Sequence, residues 1–260
     1  MIGIIGGTGI YDPNAFTNII EKEVETVYGK PSAPIKMAEL DGKKIAFLAR
    51  HGNSHEFPPS KVNYRANIQA LKNLGVKTIF AFSAVGSLKE ELKRGHFAVV
   101  RQYIDFTKSR KRTFFDKDNA VHVSMAEPYC PFYSEFALEK AKELGYEIYD
   151  NAVYICIEGP QFSTKAESNF YRMLKGDVIG MTGCPETQLA REAELHYVSI
   201  VTITDYDCWK GEAVTAEEVE RIMKENNEKV KRLMKNIIKD YKEDKDAGCN
   251  CEKALEGAGL

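Results

Sequence analysis

The sequence predicts an α/β protein of one domain, with a mixed β-sheet that helices cover on both faces. Short apolar runs bounded by turn residues alternate with segments of helical spacing, the pattern of strands and helices packed in layers. The 260 residues lie near the upper limit for a single hydrophobic core. With 43% hydrophobic and 28% charged residues, the composition is that of an ordinary globular chain and excludes a disordered or collagen-like protein.

Seven apolar runs predict buried strands, at residues 2–5, 45–49, 78–83, 98–100, 152–157, 178–179 and 197–204. Between several of them, four segments have apolar residues at helical spacing, at residues 64–74, 134–144, 165–174 and 185–194. The alternation favours a mixed sheet buried on both faces.

The chain is expected to close with a long amphipathic helix and a tail. From Thr215 onward, apolar residues recur at steps of three and four, with Thr215 as the N-cap and Glu218 completing a capping box. A charged segment rich in Gly and Ala follows and is expected to be partly mobile. We therefore divide the chain into a domain over residues 1–242 and a C-terminal tail over residues 243–260.

The charge balance and the apolar runs exclude two classes of partner. With 36 basic and 38 acidic residues the net charge is −2, so the chain has no overall electrostatic preference for nucleic acid or an anionic membrane. No apolar run approaches the roughly 20 residues of a membrane helix. A strand predicted from the second residue leaves no room for a signal peptide, so the expected location is the cytoplasm.

Three polar loops directly after predicted strands predict a phosphate or similar anion site. The first contains Gly7 and Thr8, the second Arg50 and His51, and the third begins at Ser83 and Ala84. Glycines and small residues expose backbone N–H groups, and the arginine fork suits phosphate geometry. The first loop matches neither the dinucleotide-binding glycine spacing nor a P-loop.

His51 and His55 have the spacing of a zinc-binding helix, but the sequence argues against one. Gly52 and the nearby prolines prevent a helix, and the general-base glutamate of such motifs is missing. No metal is expected at this pair.

Two carboxylates follow the strand predicted at residues 197–204. On an extended segment Asp205 and Asp207 face the same side, and burial beside Trp209 would raise their pKa values. Carboxyls in that state can protonate or hydrogen-bond purine ring nitrogens. An aspartate-rich turn after a strand explains this fragment equally well.

Eight sequence blocks follow one another in a recognisable order from residue 2 to about residue 240. They are Gly6-Gly7-Thr8-Gly9, Ala49-Arg50-His51-Gly52, residues 59–67 (PSKVNYRAN), 84–88 (AVGSL), 125–128 (MAEP), 158–163 (EGPQFS), Met181-Thr182 and residues 204–207 (TDYD). Together they resemble the methylthioadenosine phosphorylase branch of the trimeric purine nucleoside phosphorylase family.

The resemblance implies a mixed sheet partly closed into a barrel, in a homotrimer or a hexamer formed from two trimers, with active sites near subunit boundaries. The implied reaction is the reversible phosphorolysis of a purine nucleoside, an activity of purine and methionine salvage. Phosphate is a co-substrate, and no metal or organic cofactor is expected.

Carried onto this sequence, the family's site residues fall into three groups. By similarity, Asp205 would serve the purine N7 and Asp207 the 6-amino group. The phosphate-binding residues would be Thr8, Arg50, His51, Ser83, Ala84 and Thr182. The nucleoside-binding residues would be Phe162 and Ser163 at the base, Met181 at the ribose, and His122, Ala216 and Val219 at the 5′ position, with His122 coming from a neighbouring subunit.

The sequence leaves two questions open, which are the preferred nucleoside and the state of the C-terminal cysteines. The apolar 5′ wall favours methylthioadenosine, whereas a 6-oxopurine nucleoside such as inosine, guanosine or methylthioinosine would require Asp207 to be protonated or bridged by water. A broad-specificity purine nucleoside phosphorylase is a further alternative, because a hydrophobic pocket discriminates only about 10- to 200-fold per methylene-sized difference. Cys249 and Cys251 resemble the C-terminal Cys-x-Cys of archaeal members from hot environments, which implies either a small strained disulfide or a pair of free thiols. Cys130, Cys184 and Cys208 could form further bridges.

Overall fold

Nine strands hydrogen-bond into one mixed sheet in a computed structural model that describes residues 1–117, 120–211, 214–243 and 247–259. For Thr8 only the backbone is described. The strands are β1 (Ile2–Gly6), β2 (Thr17–Lys22), β3 (Ile35–Leu40), β4 (Lys43–Ala49), β5 (Thr78–Ser87), β6 (Phe97–Asp105), β7 (Ile148–Cys156), β8 (Val178–Gly180) and β9 (His196–Asp205).

One end of the sheet closes into a barrel. The strand order is β2-β3-β4-β1-β5-β8-β7-β6-β9, and β9 also pairs with β5, which joins five strands into a ring. Strands β4, β1, β5 and β9 are successively parallel, whereas β5–β8, β6–β9 and the β2–β3–β4 edge are antiparallel. The predicted mixed and partly closed sheet is confirmed. Because β1, β4, β5 and β9 are parallel, their carboxyl ends meet at one edge of the sheet.

Five helices cover the two faces of the sheet. They are α1 (Tyr64–Asn73), α2 (Pro131–Glu143), α3 (Lys165–Met173), α4 (Gly183–Glu192) and α5 (Ala216–Asp240). On one side, Leu71 of α1 and Leu189 of α4 belong to a buried cluster with alternate residues of β1, β4 and β5. On the other side, Ala137 of α2 and Leu233 of α5 pack against the opposite residues of the same strands. The predicted two-sided cover of the sheet is therefore present.

The predicted capping box of the last helix is present only in part. The Thr215 hydroxyl accepts a hydrogen bond from the Glu218 N–H at 3.2 Å, as expected of an N-cap. The Glu218 carboxylate instead forms an ion pair with Arg94 at 3.1 Å. A complete capping box occurs at the start of α3, between Thr164 and Glu167.

The sequence pattern did not predict β2 and β3. All six residues of β2 are exposed, and the strand pairs with β3 at the edge of the sheet, so neither of its faces carries an apolar alternation. The pattern also ended β5 at Ser83, whereas the strand continues to Ser87 because β9 and then β8 pair with it there.

The described part of the tail packs against the body. Cys251 is 2% exposed and belongs to the apolar cluster under α2 and α5. Further along, the Ala258 carbonyl accepts a hydrogen bond from the His122 N–H at 2.8 Å, and Gly259 forms a β-bridge with Val121. Among the helices of the described ranges, none is long and apolar enough to cross a membrane.

Candidate active site

A cavity of about 320 Å³ opens at the edge where the parallel strands end. Its volume is in the range of pockets that bind small molecules. Eleven of the residues singled out from the sequence line it, and they come from six separate segments of the chain: Arg50, His51, Ser83, Ala84, Phe162, Ser163, Met181, Thr182, Asp205, Asp207 and Val219.

Three predicted site residues are not among these eleven. The Thr8 side chain lies outside the described part of the structure, although its neighbours Gly7 and Gly9 line the cavity. Ala216, the first residue of α5, is not part of the lining, which Val219 reaches from the next turn. His122 is exposed, away from the lining of its own chain's cavity.

Arg50 is fixed at the end of β4 by a buried ion pair. Its Nε and one terminal nitrogen donate to the two Glu186 oxygens at 2.7 and 2.8 Å, and its other terminal nitrogen donates to the Phe82 carbonyl at 3.0 Å. Burial acts to lower the pKa of Arg50, but the adjacent Glu186 carboxylate raises it, so the guanidinium stays charged. Each terminal nitrogen keeps one N–H available for an anion.

His51 is held as a neutral imidazole. Its Nδ1 lies 2.8 Å from the Phe57 carbonyl oxygen, which can only accept, so the proton is on Nδ1 and Nε2 is left as an acceptor. Burial lowers the pKa of His51 to about 4, and the nearby Arg50 charge acts in the same direction. The His55 ring stacks against it at 4.5 Å. A neutral ring at this point can accept the hydroxyl proton of a phosphate ion.

A gap in the pairing of β5 exposes backbone at Ser83 and Ala84. One edge of β5 is paired with β9 along most of its length. The other edge pairs with β1 only as far as Ala81 and with β8 only from Gly86 onward. Between these two partners, the residues of β5 border the cavity with a strand edge that carries unpaired backbone groups.

The Asp205 carboxylate is buried at the end of β9. Its Oδ1 accepts a hydrogen bond from the Asp207 N–H at 2.7 Å, and its Oδ2 accepts one from the Thr204 hydroxyl at 2.8 Å. Burial raises the pKa of Asp205 despite these donors. Gly86 is required beside it, because a Cβ there would lie 2.7 Å from Asp205 Oδ1.

Asp207 offers a carboxylate oxygen with no partner. Its backbone has a φ of 49°, in the left-handed region, and the residue is 6% exposed. Burial raises the pKa of Asp207, against the opposing effect of the nearby Ser168 and Ser163 hydroxyls. Among the described residues, Oδ2 makes no hydrogen bond of normal geometry, and neither does the Ser163 hydroxyl. A buried polar atom without a partner at the wall of a cavity is suited to a ligand.

Arg110 was missed by sequence reasoning and holds two walls of the cavity together. Its guanidinium donates to the Met181 carbonyl at 2.7 Å, to the Cys184 carbonyl at 2.5 Å and to the Glu158 carbonyl at 2.7 Å. The Glu158 carboxylate lies 3.1 Å from its Nε. Arg110 lies in no recognisable motif, and its partners are 48 to 74 residues away, so no local signal marks it.

The cavity thus has one end where N–H groups can donate hydrogen bonds to an anion, at Arg50 and the edge of β5. Its walls are apolar, and its other end carries the carboxyls of Asp205 and Asp207.

A family model described as the phosphorylase superfamily matches residues 1–239. A protein of Hyperthermus butylicus named S-methyl-5'-thioadenosine phosphorylase is 52% identical over 261 residues, which cover 100% of this chain and 95% of that protein. A protein of the same name from Thermofilum pendens is 50% identical over 257 residues, 99% of this chain and 97% of its own.

Solved structures give the same result. A methylthioadenosine phosphorylase from an Antarctic soil metagenomic library has a TM-score of 0.92 at 41% identity, covering 100% of this chain and 92% of that one. The Schistosoma mansoni methylthioadenosine phosphorylase in complex with adenine has a TM-score of 0.94 at 32% identity, covering 99% and 98%. By sequence over its whole length, and by fold, the chain belongs to the phosphorylase superfamily.

Proposed function

We propose that this chain catalyses the reversible phosphorolysis of purine nucleosides, with 5′-methylthioadenosine as the preferred substrate. The products are adenine and 5-methylthioribose 1-phosphate. The observation that carries the proposal is that one cavity joins a phosphate-sized set of N–H donors to a pair of buried carboxyls. The names of the full-length relatives support the same reaction.

At the anion end, Arg50, His51 and the open edge of β5 would hold phosphate, together with Thr8 and Thr182. As the glycosidic bond lengthens, positive charge develops on the sugar. A phosphate held beneath the anomeric carbon stabilises that charge and attacks the same atom, so positioning and electrostatics account for most of the catalysis. The step requires neither a metal nor an organic cofactor.

At the carboxyl end, Asp205 would share a proton with the purine N7, and the free oxygen of Asp207 would accept a hydrogen bond from the 6-amino group. A raised pKa suits a carboxyl that shares a proton with a departing base near neutral pH. Phe162 would stack on the base beside the Ser163 hydroxyl, and Met181 would pack on the ribose. Val219, with Ala216 behind it, would form the apolar wall for the methylthio group.

We further propose a cytoplasmic homotrimer or hexamer in which a neighbouring subunit completes the site. His122 is exposed and is not among the lining residues of its own cavity, which leaves it available to a second chain. Near the rim, Phe162 is 42% exposed, and α3 exposes 46% of Phe170 and 79% of Met173. Apolar side chains grouped in this way are typical of an interface.

The proposal is tested by measuring base release from methylthioadenosine, methylthioinosine, adenosine, inosine and guanosine, each with and without phosphate. We expect phosphate-dependent adenine release that is fastest from methylthioadenosine. Preference for a 6-oxopurine would keep the phosphorylase but exclude the role given to Asp207. Absence of phosphate-dependent release from all five nucleosides would refute the function.

Asparagine variants of the two carboxylates separate their roles. Asp207→Asn removes the acceptor for the 6-amino group, so kcat/KM for methylthioadenosine should fall about 10- to 100-fold while methylthioinosine is spared. Asp205→Asn is the matched control, because N7 is common to both bases and both substrates should lose activity together. Equal losses for both substrates in Asp207→Asn would show that this residue does not select the base.

His51 should remain neutral through the physiological range. In side-chain NMR titrations without phosphate, its resonance, assigned with His51→Gln, should titrate with a pKa of about 4. Saturating phosphate should raise that pKa, because a bound anion favours the charged ring. A pKa near 6.5 that phosphate leaves unchanged would remove His51 from the anion site.

The assembly is tested by light scattering and by a variant of His122. We expect a mass of about three or six times 29.3 kDa. His122→Ala should keep that mass but raise KM for methylthioadenosine about 2- to 10-fold, with KM for phosphate unchanged, since the packing of one side chain against the 5′ end of the nucleoside is lost. A monomeric protein with full activity would contradict the shared site.

A further inference from the structure

Four potential metal ligands meet on the side of the body where the tail packs. The sulfur atoms of Cys130, Cys249 and Cys251 and a ring nitrogen of His196 all lie within 4.8 Å of one another. Cys130 and Cys251 are 1% and 2% exposed, and His196 is 5% exposed. None of the four lines the active-site cavity.

The spacing of three of these atoms matches a tetrahedral zinc site, and the fourth, Cys251 Sγ, lies within 4.8 Å of each of them. With Zn–S bonds of ~2.3 Å and a Zn–N bond of ~2.05 Å, a tetrahedron places two sulfurs ~3.8 Å apart and a sulfur and nitrogen ~3.6 Å apart. Cys130 Sγ and Cys249 Sγ are 3.8 Å apart. His196 Nδ1 lies 3.4 Å from each of these two sulfurs.

The outer nitrogen of His196 faces a carboxylate. Its Nε2 lies 3.8 Å from a Glu252 carboxylate oxygen, and that carboxylate also pairs with Lys77 at 3.6 Å. A carboxylate near the outer nitrogen is common at histidine metal ligands, although this distance is longer than a hydrogen bond.

Two of the ligands stand on rigid elements. Cys130 is the N-cap of α2, and His196 is the first residue of β9. The Cys130 N–H donates to the Tyr197 carbonyl at 2.9 Å, which connects the two elements directly. The body therefore offers a preformed half-site, and the tail brings the remaining two sulfurs.

We propose that Cys130, His196, Cys249 and Cys251 bind one structural zinc ion that fastens the C-terminal tail to the body. Four protein ligands close the coordination sphere, so the ion has a structural role and takes no part in phosphorolysis. Binding releases the three thiol protons and leaves a Cys₃His centre with a net charge of −1. This proposal departs from the expectation from the sequence that the chain holds no metal.

A disulfide between Cys249 and Cys251, one of the two states that the sequence resemblance leaves open, would remove two ligands. All six cysteines are unpaired in this structure.

The test is the metal content of untagged protein, reduced, incubated with zinc sulfate and freed of excess metal by gel filtration. We expect about one zinc per chain by mass spectrometry of the metal. The double variant Cys249→Ser, Cys251→Ser should retain less than about a tenth of that amount. Cys156→Ala, a buried cysteine outside the cluster, is the matched control and should bind zinc as the unaltered chain does.

Two further measurements use the unaltered protein and therefore test the proposal even if the double variant fails to fold. Cobalt bound to the unaltered protein should give the intense visible absorption of a tetrahedral thiolate site. Thiol titration of protein as isolated, after denaturation with a chelator, should find all six cysteines reactive. Four reactive thiols together with no bound zinc would establish the disulfide and overturn the proposal. Unaltered zinc content in the double variant would overturn it as well. Neither readout uses phosphorolysis, so a failure here is distinguishable from failure of the proposed function.

Discussion

The buried ion pair between Arg50 and Glu186 is the interaction on which the anion end of the cavity depends. It joins the end of β4 to α4, and Arg50 also holds the Phe82 carbonyl of β5. Glu186 is fully buried and accepts a further hydrogen bond from the Tyr197 hydroxyl at 2.7 Å, which brings in β9. Removal of one partner from such a pair leaves an unpaired charge in the interior, a loss of ~3–5 kcal/mol.

Because Glu186 already balances its charge and holds its position, Arg50 can bind an anion such as phosphate without moving. The guanidinium is pre-oriented by Glu186 at the cavity wall, and each terminal nitrogen keeps one N–H beyond these bonds. The Asp205 carboxylate at the opposite end is oriented in the same way, because the Thr204 hydroxyl and the Asp207 N–H donate to its two oxygens. In both places the protein fixes the group before the ligand arrives, which is how a site lowers a barrier through orientation.

The parts of the site that sequence reasoning could predict are those that follow directly from strands. Arg50, Ser83 and Asp205 stand at or near the ends of apolar runs, and parallel strands bring such ends together. Arg110 and Glu186 could not be found in this way, because they act through partners up to 74 and 136 residues away. The cysteine cluster could not be predicted for the same reason, because Cys130 and His196 come together only when α2 packs beside β9. Strand β2 could not be predicted because it is exposed on both faces and so has no apolar alternation.

The contact between the tail and the segment of His122 has a consequence for mixed assemblies. Ala258 and Gly259 hold the backbone of His122 and Val121, so the end of each chain supports a residue proposed to act in its neighbour's cavity. A chain that lost its last residues would keep its own phosphate and base groups, yet it would impair the site next to it. In an oligomer of the proposed kind that contains both forms, each truncated chain would therefore impair one neighbouring site, and the chain that shows the defect would be one that carries its own residues intact.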